Sequence, residues 1–170
     1  MPPLAVQIRE IPPSAIIAIR HAVLWPNVAL DAQLYEYDFA PGTVHIGAFR
    51  PDASEPVAVG TLVRAAFARP DALDADTRLL EAVQLRKLAV VAQLQGQGVG
   101  KAMMAYTAAL LTPAHGDKPL LLHFDARAAQ APFYEKLGYA VLDPTVFTKT
   151  FGGEVVSFIR MGKVLRPAGA

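Results

Sequence analysis

Residues 85–101 read LRKLAVVAQLQGQGVGK: an apolar stretch, a turn with glycine at 96, 98 and 100, and a lysine at 101. The apolar part, centred on Leu88, Ala89 and Val90, has the composition of a strand. Beyond the turn, Val99, Met103, Tyr106 and Leu110 recur at helical spacing up to Pro113, which predicts one apolar stripe of a helix. A turn between strand and helix places its backbone N–H groups at the unpaired first turn of that helix, where they attract anions. Glycine removes the Cβ atoms that would hold a phosphate away, and Lys101 with the helix dipole adds positive potential. Two familiar phosphate loops are excluded by the residues themselves. Gln95 stands where a nucleoside-triphosphate P-loop has its first glycine and Ala102 where it has its hydroxyl; Lys101 stands where a dinucleotide fingerprint has its third glycine.

Outward from this turn the chain alternates strands and helices. Upstream, Leu4–Ile8 reads as a short strand, and PPSAIIAIRHAVLWP, with Ile16, Ile19 and Val23 on one face and Pro26 as a stop, reads as a helix. Asn27–Gly42 carries acids and aromatics without clean periodicity, a short helix plus loop. The apolar, β-branched stretches TVHIGAF (43–49) and VAVGTLVRAAF (57–67) flank the turn former RPDASEP and predict a hairpin. AVQLRKLAVV (82–91) is the strand that enters the glycine turn. Downstream, KPLLLHF (118–124) is a strand of the buried kind, Ala128–Leu137 a helix ended by Gly138, and Tyr139–Leu142 and Val155–Met161 two last strands. Early hairpins and one strand–helix–strand crossover predict an α/β protein of the α+β type: a mixed, mostly antiparallel central sheet flanked by helices. No repeat or linker interrupts the order, so residues 1–170 are expected to form a single domain.

Composition narrows the chemistry. With 170 residues, 53% of them hydrophobic and 18% charged, the chain is long enough to bury a core without disulfides or metals. Sixteen basic and fifteen acidic residues leave a net charge of +1, so no electrostatic footprint favours nucleic acid or an anionic membrane. The absence of cysteine excludes thiol nucleophiles and Cys-based zinc sites, and no metal is expected. The N-terminus lacks the pattern of a signal peptide, and no apolar run is long enough to span a bilayer, so a cytoplasmic location is expected.

Two motifs carry a resemblance. Gln95, Gly98 and Gly100, directly after Leu88-Ala89-Val90, match Q/R-x-x-G-x-G/A. One crossover later APFYEKLGYAVL (131–142) matches F-Y-x-x-x-G-F/Y through Phe133, Tyr134, Gly138 and Tyr139. In that order and spacing they resemble the acyl-CoA loop and second signature of the GNAT superfamily of N-acetyltransferases. IRHAVLWP (19–26) is similar to the R-x-x-V-L pattern of some small bacterial members.

The resemblance implies a GNAT-like fold, acetyl-CoA as cosubstrate, and transfer to a primary amine of a small molecule or peptide by direct attack in a ternary complex. It implies that Leu88 and Val90 pair with pantetheine through their backbone. Gln95, Gly96, Gln97, Gly98, Val99, Gly100 and Lys101 would cradle the pyrophosphate, and Phe133 would lie among the cofactor-binding residues. Tyr134 matches the tyrosine that protonates the departing thiolate. The base is open: Gln84 falls where some members place a glutamate, and Glu81 and His123 are the first candidates, with His45 a third. A non-catalytic acyl-CoA sensor of the same fold is the alternative. The apolar VVSFIRM (155–161) is compatible with a monomer or a homodimer.

Overall fold

Val44–Phe49 and Ala58–Arg64, apolar and β-branched, pair antiparallel as strands β2 and β3 in the computed structural model, which describes residues 2–114 and 118–167. The remaining strands are β1 (Gln7–Ile11), β4 (Glu81–Val90), β5 (Leu120–Arg127), β6 (Ala140–Phe151) and β7 (Glu154–Leu165). The helices are α1 (Ile17–Ile19), α2 (Ala75–Arg78), α3 (Val99–Ala114) and α4 (Ala131–Lys136). Among the described residues seven strands form a mixed, mostly antiparallel sheet in the order β1-β2-β3-β4-β5-β7-β6, as expected of an α+β fold. The parallel pair is β4–β5, joined by the crossover through α3. Among the described residues no helix is long and apolar enough to cross a membrane.

Two compact units divide the chain, and β4 contributes to both. The first comprises residues 1–63 and 85–107; Ile16, Ile19, Val59 and Ala89 form a buried cluster there, with Ile11, Val23 and Leu34 against it. The second comprises residues 64–84 and 108–170 and buries Phe67, Leu73 and Leu121 with Leu80, Leu142 and Val164. Glycine is required where β7 crosses β5: a Cβ on Gly162 would lie 2.6 Å from the Leu122 carbonyl oxygen.

Four elements differ most from the sequence reading. The first strand starts at Gln7 instead of Leu4, because Pro2 and Pro3 have no N–H for a ladder and the Leu4 N–H donates to the Gln97 carbonyl at 2.9 Å. The first helix is composite: a 3₁₀ turn (Pro13–Ile16), α1, and a π turn (Arg20–Leu24) closed by the Trp25 N–H on the Arg20 carbonyl at 3.1 Å. The last two strands are far longer than expected, since a Gly152-Gly153 turn with both φ angles positive lets β6 and β7 pair as one hairpin. That hairpin is bulged between Val141 and Phe147, where Pro144 cannot donate to the ladder.

Candidate functional site

The glycine turn lies between β4 and α3. Gly96 and Gly98 have φ angles of +77° and +87°, a region that side-chain-bearing residues enter at a cost of about 1–2 kcal/mol. A Cβ on Gly96 would meet nothing within 4 Å, so the turn is open on that side. One on Gly98 would come within 3.0 Å of the Pro3 Cβ. The first bond of α3 runs from the Ala102 N–H to the Gly98 carbonyl at 3.0 Å, so the N–H groups of Val99, Gly100 and Lys101 lie ahead of it, in the turn that offers donors to a ligand. Gln95 and Gln97 brace this loop: Gln95 Nε2 donates to the Val90 carbonyl at 3.0 Å, and Gln97 Nε2 to the Gln93 carbonyl at 2.9 Å.

Immediately upstream, β4 is kinked. Lys87 has a φ of +54°, rare for a residue with a side chain and a mark of local strain within a strand. The parallel ladder with β5 runs from Glu81↔Leu120 to Gln84↔His123, and Leu88 and Val90 lie further along β4.

Beneath the aromatic loop lies an ionic network that the sequence reading missed. Arg20, fully buried, donates to both Asp38 carboxylate oxygens at 2.7 and 2.8 Å, to the Gln33 carbonyl at 2.9 Å and to the Thr61 hydroxyl at 2.7 Å. Asp38 also accepts the Tyr35 N–H at 2.8 Å. His45 Nε2 lies 3.0 Å from the Asp38 carbonyl, which only accepts, so that nitrogen carries the proton and Nδ1, 2.8 Å away, accepts the Thr61 hydroxyl. His45 is thus a buried strut. Asp38 is 3% exposed and neutralised by Arg20.

Around this network the aromatics hold cations of the chain itself. The Tyr35 and Tyr37 rings stack at 5.3 Å. Arg86 lies 4.5 Å from the Tyr37 centroid, and the Lys87 ammonium 4.8 Å from those of both Trp25 and Tyr35. Burial pushes the Tyr37 phenol up to about 12 and raises that of Tyr35, so both stay neutral donors.

In the second unit, Tyr134 sits in an aromatic cluster, its ring 4.5 Å from Phe124 and 4.9 Å from Phe133. Burial, and secondarily Tyr139, pushes its phenol up to about 12.

Glu81, at the start of β4, is 64% exposed with Arg64 at 3.8 Å. It lines a cavity of about 500 Å³ with Arg64, Phe67, Leu73, Arg78 and Leu121. His123 is 3% exposed and presents Nε2 to the Ala65 carbonyl at 2.8 Å, so that nitrogen is the protonated one. Gln84, on the same strand as Glu81, is buried. Among the described residues no three His, Asp or Glu side chains gather as a metal site.

The one legible trace of the buried network was the R-x-x-V-L spacing in 19–26; nothing local marked Asp38, Thr61 and His45 as its partners, because they come from separate elements.

Residues 54–141 match the family model described as an acetyltransferase (GNAT) domain. Comparison with the curated proteins finds no match. Among solved structures, Escherichia coli ElaA is 22% identical with a TM-score of 0.65, over 94% of this chain and 99% of its own. Arabidopsis thaliana NAA60 in complex with acetyl-CoA is 16% identical with a TM-score of 0.70, over 95% and 99%. The ribosomal-protein-S18-alanine N-acetyltransferase of Escherichia coli is 18% identical with a TM-score of 0.62, over 97% of each chain. At these identities the likeness to the solved structures is one of fold.

Proposed function

Because the chain belongs to the GNAT acetyltransferase family, we propose that it transfers the acetyl group of acetyl-CoA to a primary amine of a small molecule or peptide, within the cytoplasm, as a monomer or homodimer. The observation that carries the reading is the Gly96–Gly98 turn, open on its Gly96 side and leading into the first turn of α3. Its N–H groups beyond Gln95, through Lys101, would hold the pyrophosphate; the Gln95 N–H is already given to the Ala92 carbonyl at 3.3 Å, and the Gln95 side chain would keep the turn docked on Val90. The relatives of like fold crystallised with acetyl-CoA, or named for alanine N-acetylation, agree with this reading.

Residues 1–170 are taken as one catalytic domain. The Leu88 and Val90 backbone would pair with the pantetheine arm and polarise the thioester carbonyl. The amine lone pair forms the new C–N bond as the C–S bond breaks, and the electron pair leaves on sulfur. Tyr134 would donate a hydrogen bond to that sulfur and deliver the proton as CoA departs, with Phe133 among the cofactor contacts. Glu81, the base candidate that solvent reaches, would take the amine proton; His123 is the second candidate, through Nδ1.

The test is thermal unfolding with acetyl-CoA, CoA, ATP and NAD in parallel, followed by thiol release with an amine panel. At a hundred times Kd, binding adds about 2.7 kcal/mol. Stabilisation by acetyl-CoA and CoA alone, lost in Gly98→Glu, is the expected result. No stabilisation by either sinks the reading, and binding without thiol release on any amine replaces it with an acyl-CoA sensor.

A further inference from the structure

The Arg86 guanidinium stands over the Tyr37 ring, 4.5 Å from its centroid. Among the described residues it pairs with no carboxylate; its one partner is the Tyr37 ring, and its Nε is buried without a hydrogen-bond acceptor. The Tyr37 hydroxyl is likewise buried and unpartnered. Two adjacent donors left unsatisfied are costly in a folded protein, on the order of 1–3 kcal/mol each, unless a ligand completes them. The nearby acid is no remedy, since both Asp38 oxygens are spent on Arg20 and the Tyr35 N–H. Lys87 adds a second positive charge on the neighbouring ring of the stacked tyrosine pair. An anionic oxygen group fits this arrangement: a guanidinium and a neutral phenol both donate to it, and the aromatic rings shield the contact from water.

We propose that Arg86 and Tyr37 read an acid group on the acceptor, so that the substrate is an amine that also carries a carboxylate or phosphate, as amino acids and phosphorylated amines do. The inference rests on the transferase reading and narrows it. Arg86 lies two residues before Leu88 on β4, across the kink at Lys87, so the acid and the amine of such an acceptor are a short distance apart. Diamines and other purely cationic acceptors are disfavoured by the same charges.

The experiment is calorimetric titration of the CoA-saturated protein with matched pairs: glycine against methylamine, β-alanine against ethylamine, L-lysine against cadaverine, and O-phosphoethanolamine against ethylamine. CoA has no acetyl group to give, so binding is read without turnover. At least one acid-bearing member is expected to bind tenfold or more tighter than its partner. Arg86→Gln should abolish the preference, Arg86→Lys should keep part of it, and Tyr37→Phe should weaken it. Which pair responds separates carboxylate from phosphate. No acid preference in any pair overturns the proposal, as does a preference that survives Arg86→Gln. Loss of CoA affinity in Arg86→Gln also overturns it, by making Arg86 a cofactor contact. The parent reading fails separately, through absent CoA stabilisation or absent thiol release.

Discussion

Arg20 and Asp38 form a two-pronged ion pair at 2.7 and 2.8 Å, with both side chains sealed from solvent. Its effect on stability lies less in net attraction than in the penalty for leaving one charge alone. Asp38→Ala should therefore cost about 3–5 kcal/mol, and Arg20→Lys should also be costly, because an ammonium cannot reproduce the fork on Asp38 while reaching Thr61 and Gln33. For a chain of this size that is a fall in melting temperature of about 6–20 °C. Removing both charges together, as Arg20→Met with Asp38→Leu, should be milder than Asp38→Ala alone. Melting curves of the three variants decide this; a single variant within about 1 kcal/mol of wild type contradicts it.

The two left-handed glycines of the turn before α3 should respond differently to alanine. At Gly96 the new Cβ meets open space, so Gly96→Ala bears only the backbone strain of about 1–2 kcal/mol. At Gly98 the same strain is joined by a 3.0 Å approach to Pro3, so Gly98→Ala should be the less stable of the two. Both should weaken CoA binding. Chemical denaturation with and without CoA measures each effect; equal stabilities would show that Pro3 moves aside freely.

Tyr134→Phe keeps the ring packed on Phe124 and removes only the hydroxyl. The fold and the affinity for acetyl-CoA should be unchanged, while kcat falls about 100-fold, the lower end for a lost acid. With its phenol near 12, Tyr134 holds its proton through the neutral range, so wild-type kcat should show no alkaline decline from this group below about pH 10. A variant with full kcat would remove Tyr134 from the chemistry.

Tyr37, Tyr134 and Tyr139 are each pushed by burial from 10.0 to about 12. The folded chain therefore retains protons that the unfolded chain releases from about pH 10 upward. Their contribution to stability is complete below pH 10 and is lost as pH rises through 12. Denaturant midpoints should be flat in this respect from pH 8 to 10 and fall above it. Phenolate absorbance should rise late, with unfolding. Simultaneous titration of all five tyrosines near pH 10 would refute this assignment.

Glu81→Gln should lower kcat/KM about 100-fold if the Glu81 carboxylate takes the amine proton, whereas His123→Gln should leave it near wild type. The reverse result would assign the base to His123. Unchanged kcat/KM in both variants would leave the proton to solvent.

Element order and the glycine turn were legible because their causes are local. Strand composition, helical spacing and glycine at positions of positive φ act within a few residues, so Gly96, Gly98 and the start of α3 could be read directly. The paired motifs around Gly98 and Tyr134 carried the family assignment for the same reason. The length of the β6–β7 hairpin was not legible, since pairing across Gly152-Gly153 sustains residues that have little strand character alone. The fate of the acids and aromatics in Tyr35–Phe39 was decided by tertiary structure. Reading alone gave them a short helix plus loop and no partners. The fold brings Arg20, Arg86 and Lys87 to them from other parts of the chain, satisfies Asp38 internally and leaves Arg86 unsatisfied. Short-range steric and hydrogen-bonding rules are written in neighbouring residues; the balance of buried charge depends on which distant side chains meet, and only the folded chain sets that.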